Sequence, residues 1–198
     1  TLSRSSAASD VYKRQAILSG VGILGGSMLR DFAIVATAYG ANFSDLKSSG
    51  KAGIFSLFFG VILSFSLGAI VAIAFGYDDP KDITTIGAGT VTFVVGPVSG
   101  SAIGASSEVI ALSIAAGLVK SILVMTMTPL FAKRIGLDNP KSAMVFGGLM
   151  GTNSGVAAGL AAVDPKLVPY GAMIATFYTA VGCLLVPSVL FLLIDLMF

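Results

Sequence analysis

Two stretches of this chain decide its fold: GAGTVTFVVGPVSGSAIGASS at residues 87–107 and GGLMGTNSGVAAGLAA at residues 147–162. Both are hydrophobic, yet glycine, proline and small hydroxyl residues interrupt them at the depth where a membrane helix should be continuous. A bilayer offers no water to a bare backbone, so a broken helix persists there only where protein or a polar cavity surrounds it. Paired interrupted segments are the sequence feature that best indicates the substrate and ion site of a secondary transporter. The two stretches therefore predict a membrane transporter.

The composition supports a membrane protein and excludes several other classes. Hydrophobic residues make up 55% of the chain and charged residues 11%, with a mean hydropathy of +0.93, which is far from an average soluble domain. The sequence has no histidine and one cysteine, Cys183, so it predicts no disulfide, zinc cluster or Cys–His nucleophile pair. It also carries no basic patch for nucleic acid and no motif of an enzyme or an ATP-driven pump. We expect no cofactor.

The first fifteen residues, TLSRSSAASDVYKRQ, differ from the rest of the chain. They are polar, and they lack both a starting methionine and the apolar core of a signal peptide. Because the composition changes abruptly at Ala16, we interpret residues 1–15 as a non-native, adapter-derived tail. Residues 16–198 are then expected to form a single membrane transporter domain that is incomplete at its N-terminus.

About six hydrophobic segments follow the tail and predict an all-α polytopic membrane protein. A spanning helix needs about 20 apolar residues, and four segments are long enough, at residues 17–40, 52–76, 108–131 and 168–193. The two interrupted stretches are the remaining segments. Arg30 and Asp31 are adjacent charges within the first segment, and we expect a structural ion pair or a helix-end role for them.

The charges of the loops predict an orientation. Lysine and arginine in short loops favour the cytoplasmic side, which places residues 42–51 and 132–141 inside and the acidic residues 77–82 outside. This arrangement needs an odd number of crossings between the acidic loop and the second basic loop. Either the first interrupted stretch is re-entrant, entering and leaving on the outer side, or one loop violates the charge rule. We expect the re-entrant arrangement, with its reversal at Pro97 and Gly100.

The two interrupted stretches also share a short motif. SGSAIGA at residues 99–105 matches SGVAAGL at residues 154–160 at Ser, Gly, Ala and Gly, in register. Four small residues can match by chance in a chain with 24 glycines. An internal, inverted repeat of a transporter would also produce this match.

Oxygen-bearing side chains in both stretches indicate a site for a hard cation such as sodium. Thr152, Asn153 and Ser154 follow one another between two glycines, and Thr90 offers a hydroxyl in the first stretch. Unwound backbone would add free carbonyl oxygens to such a site. We predict sodium ligands at these four positions. The alternative is that these small and hydroxyl residues only pack helices together.

A carboxylate substrate would need hydrogen-bond donors and a positive charge. The candidate residues of the first stretch are Gly96, Ser99, Gly100 and Ser101. Glycines let a ligand approach the backbone closely, and N–H groups at the start of a half-helix suit a carboxylate. Lys120 lies deep in the following segment, where a charge costs about 2.5–3.5 kcal/mol, so we predict that it opposes a substrate carboxylate. Pairing with an acid elsewhere and snorkelling to an interface are the alternatives for Lys120.

Glu108 follows the first stretch, directly after Ser106 and Ser107. An acid within a membrane segment indicates proton or ion coupling. An acid in the first turn of a helix is also an ordinary capping residue, and the sequence leaves both interpretations open.

Four long strings resemble one known family. They are LRDFAIVATA (29–38), TTIGAGTVTFVVGP (84–97), IGASSEVIALSIAAGLVKSILV (103–124) and SAMVFGGLMGTNSGVAAGLAAVDPKLVPYG (142–171). These strings are similar to the larger, MadM-type subunit of bacterial malonate:sodium symporters, and the resemblance covers the chain from Ala16 onward. It implies a two-subunit carrier of the bacterial inner membrane that works with a smaller MadL-type subunit. Such a carrier imports malonate together with sodium, its coupling ion.

Secondary active transport of malonate with sodium, by alternating access, is therefore the leading hypothesis. A proton-coupled carrier of another small organic anion is the close alternative and would use Glu108. A structural or assembly subunit, whose partner carries the site, would tolerate changes at residues 152–154. A passive channel would show flux without sodium dependence, and an enzyme is the least expected function because reactive groups are lacking.

Overall fold

The computed structural model describes residues 50–198, and these residues form helices and no β-strand. Three of the helical stretches are long and apolar enough to cross a membrane, at Gly50–Ala74, Ser107–Phe131 and Pro165–Asp195. The predicted all-helical fold is thus confirmed for the described residues. The first predicted segment, which carries Arg30 and Asp31, lies outside them.

Long and short helices alternate along the chain. The elements are α1 (Gly50–Ala74), α2 (Pro80–Val91), α3 (Val95–Ile103), α4 (Ser107–Phe131), α5 (Pro140–Met150), α6 (Asn153–Ala161), a 3₁₀ turn (Pro165–Leu167), α7 (Val168–Leu185), a π-helical turn (Val186–Leu190) and α8 (Phe191–Asp195). Each of α1 and α4 has 25 residues, which is about 37 Å of helix. The helices α2, α3, α5 and α6 have 9 to 12 residues, about 14–18 Å, or roughly half of a bilayer's hydrocarbon core.

The first pair of short helices, α2 and α3, forms an antiparallel hairpin, called hairpin 1 (Pro80–Ile103). Gly96 lies against Gly89, and Gly100 lies against the Thr85 side chain. Later residues of α3 therefore face earlier residues of α2, as two antiparallel legs require. The glycines let the two legs approach until backbone and side chain touch.

Hairpin 1 reverses at Thr92–Val94, which differs from the predicted reversal at Pro97 and Gly100. The Thr92 hydroxyl accepts hydrogen bonds from the N–H groups of Val94 at 3.1 Å and Val95 at 3.2 Å. Pro97 is the third residue of α3, where the missing N–H costs no intrahelical bond. Proline at this position starts a helix and does not break one, and Gly100 serves the contact between the legs.

The second pair of short helices, α5 and α6, forms hairpin 2 (Pro140–Ala161), and α7 packs against both of its legs. Gly147 lies against Gly171 of α7, and Gly151, just beyond α5, lies against Tyr178 of α7. The helices α5 and α7 are therefore parallel.

The other leg, α6, runs antiparallel to α7. The Thr176 hydroxyl of α7 donates to Asn153 Oδ1 at 3.3 Å, and Leu160, near the end of α6, packs against Gly171, near the start of α7. Since α5 is parallel and α6 antiparallel to the same helix, the chain reverses between them, at Gly151–Thr152.

The long helix α4 packs along both hairpins and shows that they open in opposite directions. Its contacts pair Gly89 with Ser113, Phe93 with Gly117, Gly155 with Ser121 and Gly159 with Thr128. Both α2 and α6 therefore run parallel to α4. Because α2 is the first leg of its hairpin and α6 is the second leg of its own, the two tips point toward each other. Gly117 and Ser121 are one turn apart, about 6 Å, so the tips meet at this level of α4.

The two halves of the described chain begin in the same way. A 25-residue helix precedes each hairpin, and the first legs start at Asp79-Pro80-Lys81 and Asn139-Pro140-Lys141. The Asp79 side chain accepts from the Lys81 N–H at 2.7 Å, and the Asn139 side chain accepts from the Ser142 N–H at 3.0 Å. Proline then occupies the first helical position, where its fixed φ favours the helix.

The shared SGSAIGA and SGVAAGL strings fall at different positions of the hairpins. Ser99 is the fifth residue of α3, whereas Ser154 is the second residue of α6. The Asx-Pro-Lys starts, by contrast, occupy the same position in the two hairpins. The Asx-Pro-Lys starts are therefore the sequence match between the two halves that agrees with the helix boundaries.

Candidate functional site

Lys120 lies on α4 at the level where the two hairpin tips meet. Its three N–H donors have four oxygens within reach: Nζ lies 2.9 Å from the Thr90 carbonyl, 3.0 Å from the Val91 carbonyl, 3.0 Å from Ser64 Oγ and 3.5 Å from Tyr178 OH. The centre of the Tyr178 ring is 5.3 Å from Nζ, which is within cation–π range. The other charged residues of the three long helices lie at helix ends: Lys51, Glu108, Lys166 and Asp195. Lys120 is thus the one charge in the middle of a described long helix.

The tip of hairpin 1 supplies two carbonyl oxygens because Thr92 redirects two N–H groups. In a continuous helix, the N–H groups of Val94 and Val95 would bond the carbonyls of Thr90 and Val91. Both N–H groups instead bond the Thr92 hydroxyl. The Thr90 and Val91 carbonyls are left at the C-terminal, electronegative end of α2, where the Lys120 ammonium binds them.

Thr90 also ties α2 to α1. Its hydroxyl is 2.8 Å from the Ser64 carbonyl and 2.7 Å from the Gly87 carbonyl. A side chain at Gly68 would overlap Thr90, so the absence of a Cβ there lets the helices meet. Thr90, predicted as a sodium ligand, therefore contributes its carbonyl oxygen to the Lys120 site, while its hydroxyl is used in helix packing.

Tyr178 connects Lys120 to the tip of hairpin 2. The side chain is fully buried, and its hydroxyl donates to the Gly60 carbonyl at 3.1 Å while accepting from Lys120. The ring packs against Gly151, which has a φ of +69°. One side chain thus contacts α1, α4 and the reversal of hairpin 2.

The tip of hairpin 2 lies against the next residue of α4. Thr152 is fully buried, and its hydroxyl is hydrogen-bonded to that of Ser121. Asn153 is half-buried and accepts from Thr176, whereas Ser154 is exposed. Among the described residues, no side chain caps the start of α6, so the N–H groups at its positive dipole end receive no side-chain oxygen from them.

The other residues predicted to bind the substrate, all in the first interrupted stretch, do not hydrogen-bond to Lys120. Gly96 packs against Ser113 and Gly100 against Thr85, while Ser101 is exposed. The Gly96 N–H bonds the Thr92 carbonyl at 3.2 Å, so an anion at the start of α3 would have to displace bonds that Thr92 makes. Ser99 is different, because its hydroxyl is buried and has no partner among the described residues.

Glu108 lies exposed in the first turn of α4. Ser106 caps this helix by accepting from the Val109 N–H at 3.3 Å. The position suits a residue that stabilises a helix start, and its predicted alternative role in proton coupling stays a prediction.

A cavity of about 410 Å³ lies beside Lys120, between α1 and α4. The cavity is open on one side, and its accessible lining is almost entirely apolar. Lys120, Ser64 and Thr90 lie in one wall, and the other lining residues are Leu67, Gly68, Val71, Ile86, Ala116, Val119 and Leu123. The volume is within the about 300–1,000 Å³ of small-molecule sites. Among the described residues that line this cavity, Lys120 is the one positive charge that an anion would meet.

Sequence reasoning identified Lys120, Thr90 and Thr152 but missed Ser64, Ser121 and Tyr178. Ser64 and Tyr178 are 56 and 58 residues from Lys120 along the chain, and each resembles an ordinary packing residue of its helix. Within residues 50–198, no group of three His, Cys, Asp or Glu side chains could hold a metal. The oxygens around Lys120 are carbonyls and hydroxyls.

Comparison with models of protein families gives a match over nearly the whole chain. The model of the MadM subunit of malonate/sodium symporters matches residues 7–198, which includes part of the tail that sequence analysis set aside. The match agrees with the resemblance of the four strings. None of the curated proteins and none of the solved structures matches the chain.

Proposed function

The chain belongs to the MadM family of malonate/sodium symporter subunits, and from this premise we propose that it imports malonate together with sodium by alternating access. Membership makes it a membrane transporter subunit, with apolar helices to match. The proposal adds a multi-pass position in the bacterial inner membrane and a smaller MadL-type partner subunit.

The observation that carries the proposal is the position of Lys120 between the two hairpin tips. A charge in the middle of a membrane helix is costly and marks a functional site by default. Malonate brings two carboxylates, and Lys120 in the wall of the cavity would hold one of them. Among the described residues, the Ser99 hydroxyl is buried without a partner, but it does not line this cavity, so Lys120 is the group that the proposal assigns to the anion.

Sodium would bind oxygens at the tips. Half-helix ends and unwound carbonyls coordinate sodium in transporters with broken helices, and the Thr90 and Val91 carbonyls at the end of α2 are of this kind. Thr152, Asn153 and Ser154 remain the proposed ligands on hairpin 2. The buried Thr152 hydroxyl already has a polar neighbour, Ser121.

The two hairpins would be re-entrant and related as an inverted repeat. Their legs are too short to span a bilayer, and they open in opposite directions from tips that meet on α4. A long helix and an Asx-Pro start precede each one. Rocking of one such unit against the other around a fixed site is how repeats of this kind alternate access.

Cysteine labelling tests the re-entrant topology. The connections that carry Arg134 and Lys166 are basic and would face the cytoplasm. Asp78 and Ser107 flank hairpin 1, at the opposite end of the long helices. In a Cys183→Ser background, we expect Asp78→Cys and Ser107→Cys to react with a membrane-impermeant maleimide from outside intact cells. Arg134→Cys and Lys166→Cys should react only after permeabilisation.

Labelling of Asp78→Cys and Ser107→Cys from opposite sides would contradict this topology, because hairpin 1 would then cross the membrane. All four variants carry their cysteine at exposed positions, so differences in labelling report sidedness and not burial.

Uptake of labelled malonate into proteoliposomes tests the transport proposal. The vesicles would contain the complete gene product, with or without the smaller subunit. We expect uptake only with an inward sodium gradient and both subunits present. Uptake driven by a pH gradient without sodium would favour proton coupling and direct attention to Glu108. An absence of uptake under either gradient, with both subunits folded, would contradict the malonate proposal.

A further inference from the structure

Lys120 is bound as a free monovalent cation would be. Within residues 50–198, its four oxygen partners are two carbonyls and two hydroxyls, at 2.9 to 3.5 Å, and none is a carboxylate. We call these oxygens, from Thr90, Val91, Ser64 and Tyr178, the oxygen cage. Neutral carbonyl and hydroxyl oxygens at the end of a half-helix are also what a sodium ion selects in a membrane site.

We propose that Lys120 is a tethered competitor of sodium, which occupies the oxygen cage until substrate and sodium replace it together. The inference rests on the proposed function and adds the means of coupling. A carboxylate arriving in the adjacent cavity would draw the ammonium away from the Thr90 and Val91 carbonyls. These carbonyls would then lack a cation at the electronegative end of α2, and sodium would fill the cage.

The exchange makes each ligand increase the affinity for the other. When sodium binds alone, it must displace the covalently attached Lys120 ammonium from the cage oxygens. When malonate binds alone, it draws Lys120 away and leaves the cage without a positive charge. When both bind, Lys120 neutralises one carboxylate charge and one sodium ion neutralises the other. Coupling of this kind is reciprocal by thermodynamic necessity, and it disfavours carriers that hold only one ligand.

Equilibrium binding of radioactive sodium to the purified two-subunit complex tests the exchange. In the wild-type protein, saturating malonate should tighten sodium binding roughly tenfold or more. Lys120→Met removes the competitor while keeping a long apolar side chain. We expect this variant to bind sodium without malonate at least as tightly as the wild type does with malonate, and malonate should no longer change its sodium affinity.

Lys120→Arg and Lys133→Met are the matched controls. Lys120→Arg keeps a positive charge near the cage, so its sodium affinity should still depend on malonate. Lys133→Met removes an exposed loop lysine and should behave as the wild type. If Lys120→Met binds sodium no more tightly than the malonate-free wild type, or still responds to malonate, the exchange is wrong even though symport stands. A wild-type complex that binds neither ligand would overturn the proposed function as well.

A second variant keeps the test valid if Lys120→Met does not fold. Ser64→Ala removes one cage oxygen, and in saturating malonate Lys120 has already left the cage. The variant should therefore bind sodium more weakly than the wild type under these conditions, by roughly threefold to tenfold for one lost oxygen contact. An unchanged sodium affinity would place the ion outside the oxygen cage and overturn the proposal.

Discussion

Lys120→Met is expected to abolish sodium-driven malonate uptake in proteoliposomes, with a fall of at least about 30-fold in kcat/KM. Removing one partner of a buried charge pair costs about 2–5 kcal/mol, and about 1.4 kcal/mol corresponds to a factor of ten. The methionine side chain offers no charge to a carboxylate, and the other described residues that line the cavity are uncharged. The measurement is initial-rate uptake over a range of malonate concentrations.

The matched control for this prediction is Lys133→Met, in the loop after α4, where the lysine is exposed. It makes the same chemical change two residues beyond the end of the same helix and should leave uptake within about twofold of the wild type, as surface substitutions usually do. Uptake by Lys120→Met at wild-type rates would contradict the assignment of the anion to Lys120. Loss of folded complex by size-exclusion chromatography would assign the effect to assembly instead.

The class of protein and the position of its charge could be predicted from the sequence because both depend on local composition. Apolar runs of about 20 residues identify membrane helices wherever they pack. Lys120 stands out within such a run regardless of its partners. The glycine and hydroxyl residues around Thr90 and Thr152 likewise indicated where helices stop, and both residues lie within two positions of a hairpin tip.

The partners of Lys120 could not be predicted, because they come from three other helices. Ser64 lies in a long apolar helix where serine usually packs, and a buried tyrosine such as Tyr178 is common in any core. Their role depends on α1, α2 and α7 meeting α4 at one level. That level is set by close contacts of glycines across the helices, such as Gly117 with Phe93, and these have no signature in one sequence.

The position of the reversal in hairpin 1 was wrong for a local reason. Proline breaks a helix when it lies in the interior. Within the first turn, its missing N–H has no intrahelical partner, so no hydrogen bond is lost. The signal that locates the turn is Thr92, whose hydroxyl can accept from N–H groups two and three residues later. Hydroxyl residues of this kind offer the backbone an alternative to the helix, and here the alternative frees the carbonyls that Lys120 binds.

Gly151→Ala should be among the most destabilising single changes in the chain. The residue has a φ of +69°, in the left-handed region that costs an L-residue about 1–2 kcal/mol. A Cβ at this position would also overlap the ring of Tyr178, and overpacking a core costs about 1–3 kcal/mol. We expect the free energy of unfolding to fall by about 2–5 kcal/mol, and sodium-driven uptake to fall as well, because displacement of Tyr178 disturbs the oxygens around Lys120.

Gly136→Ala separates the two contributions, because Gly136 has a φ of +65° and no neighbouring atom within 4 Å of a Cβ built there. It carries the backbone cost alone, about 1–2 kcal/mol, and should leave uptake unchanged. Cys183 is the single cysteine of this sequence, so a thiol-reactive dye that labels it on thermal unfolding measures both variants in a complex whose partner subunit has been made free of cysteine. Equal losses of stability in the two variants would mean that the Tyr178 ring does not constrain the tip of hairpin 2. A larger loss at Gly151, accompanied by a loss of uptake, would show that the ring links this tip to Lys120.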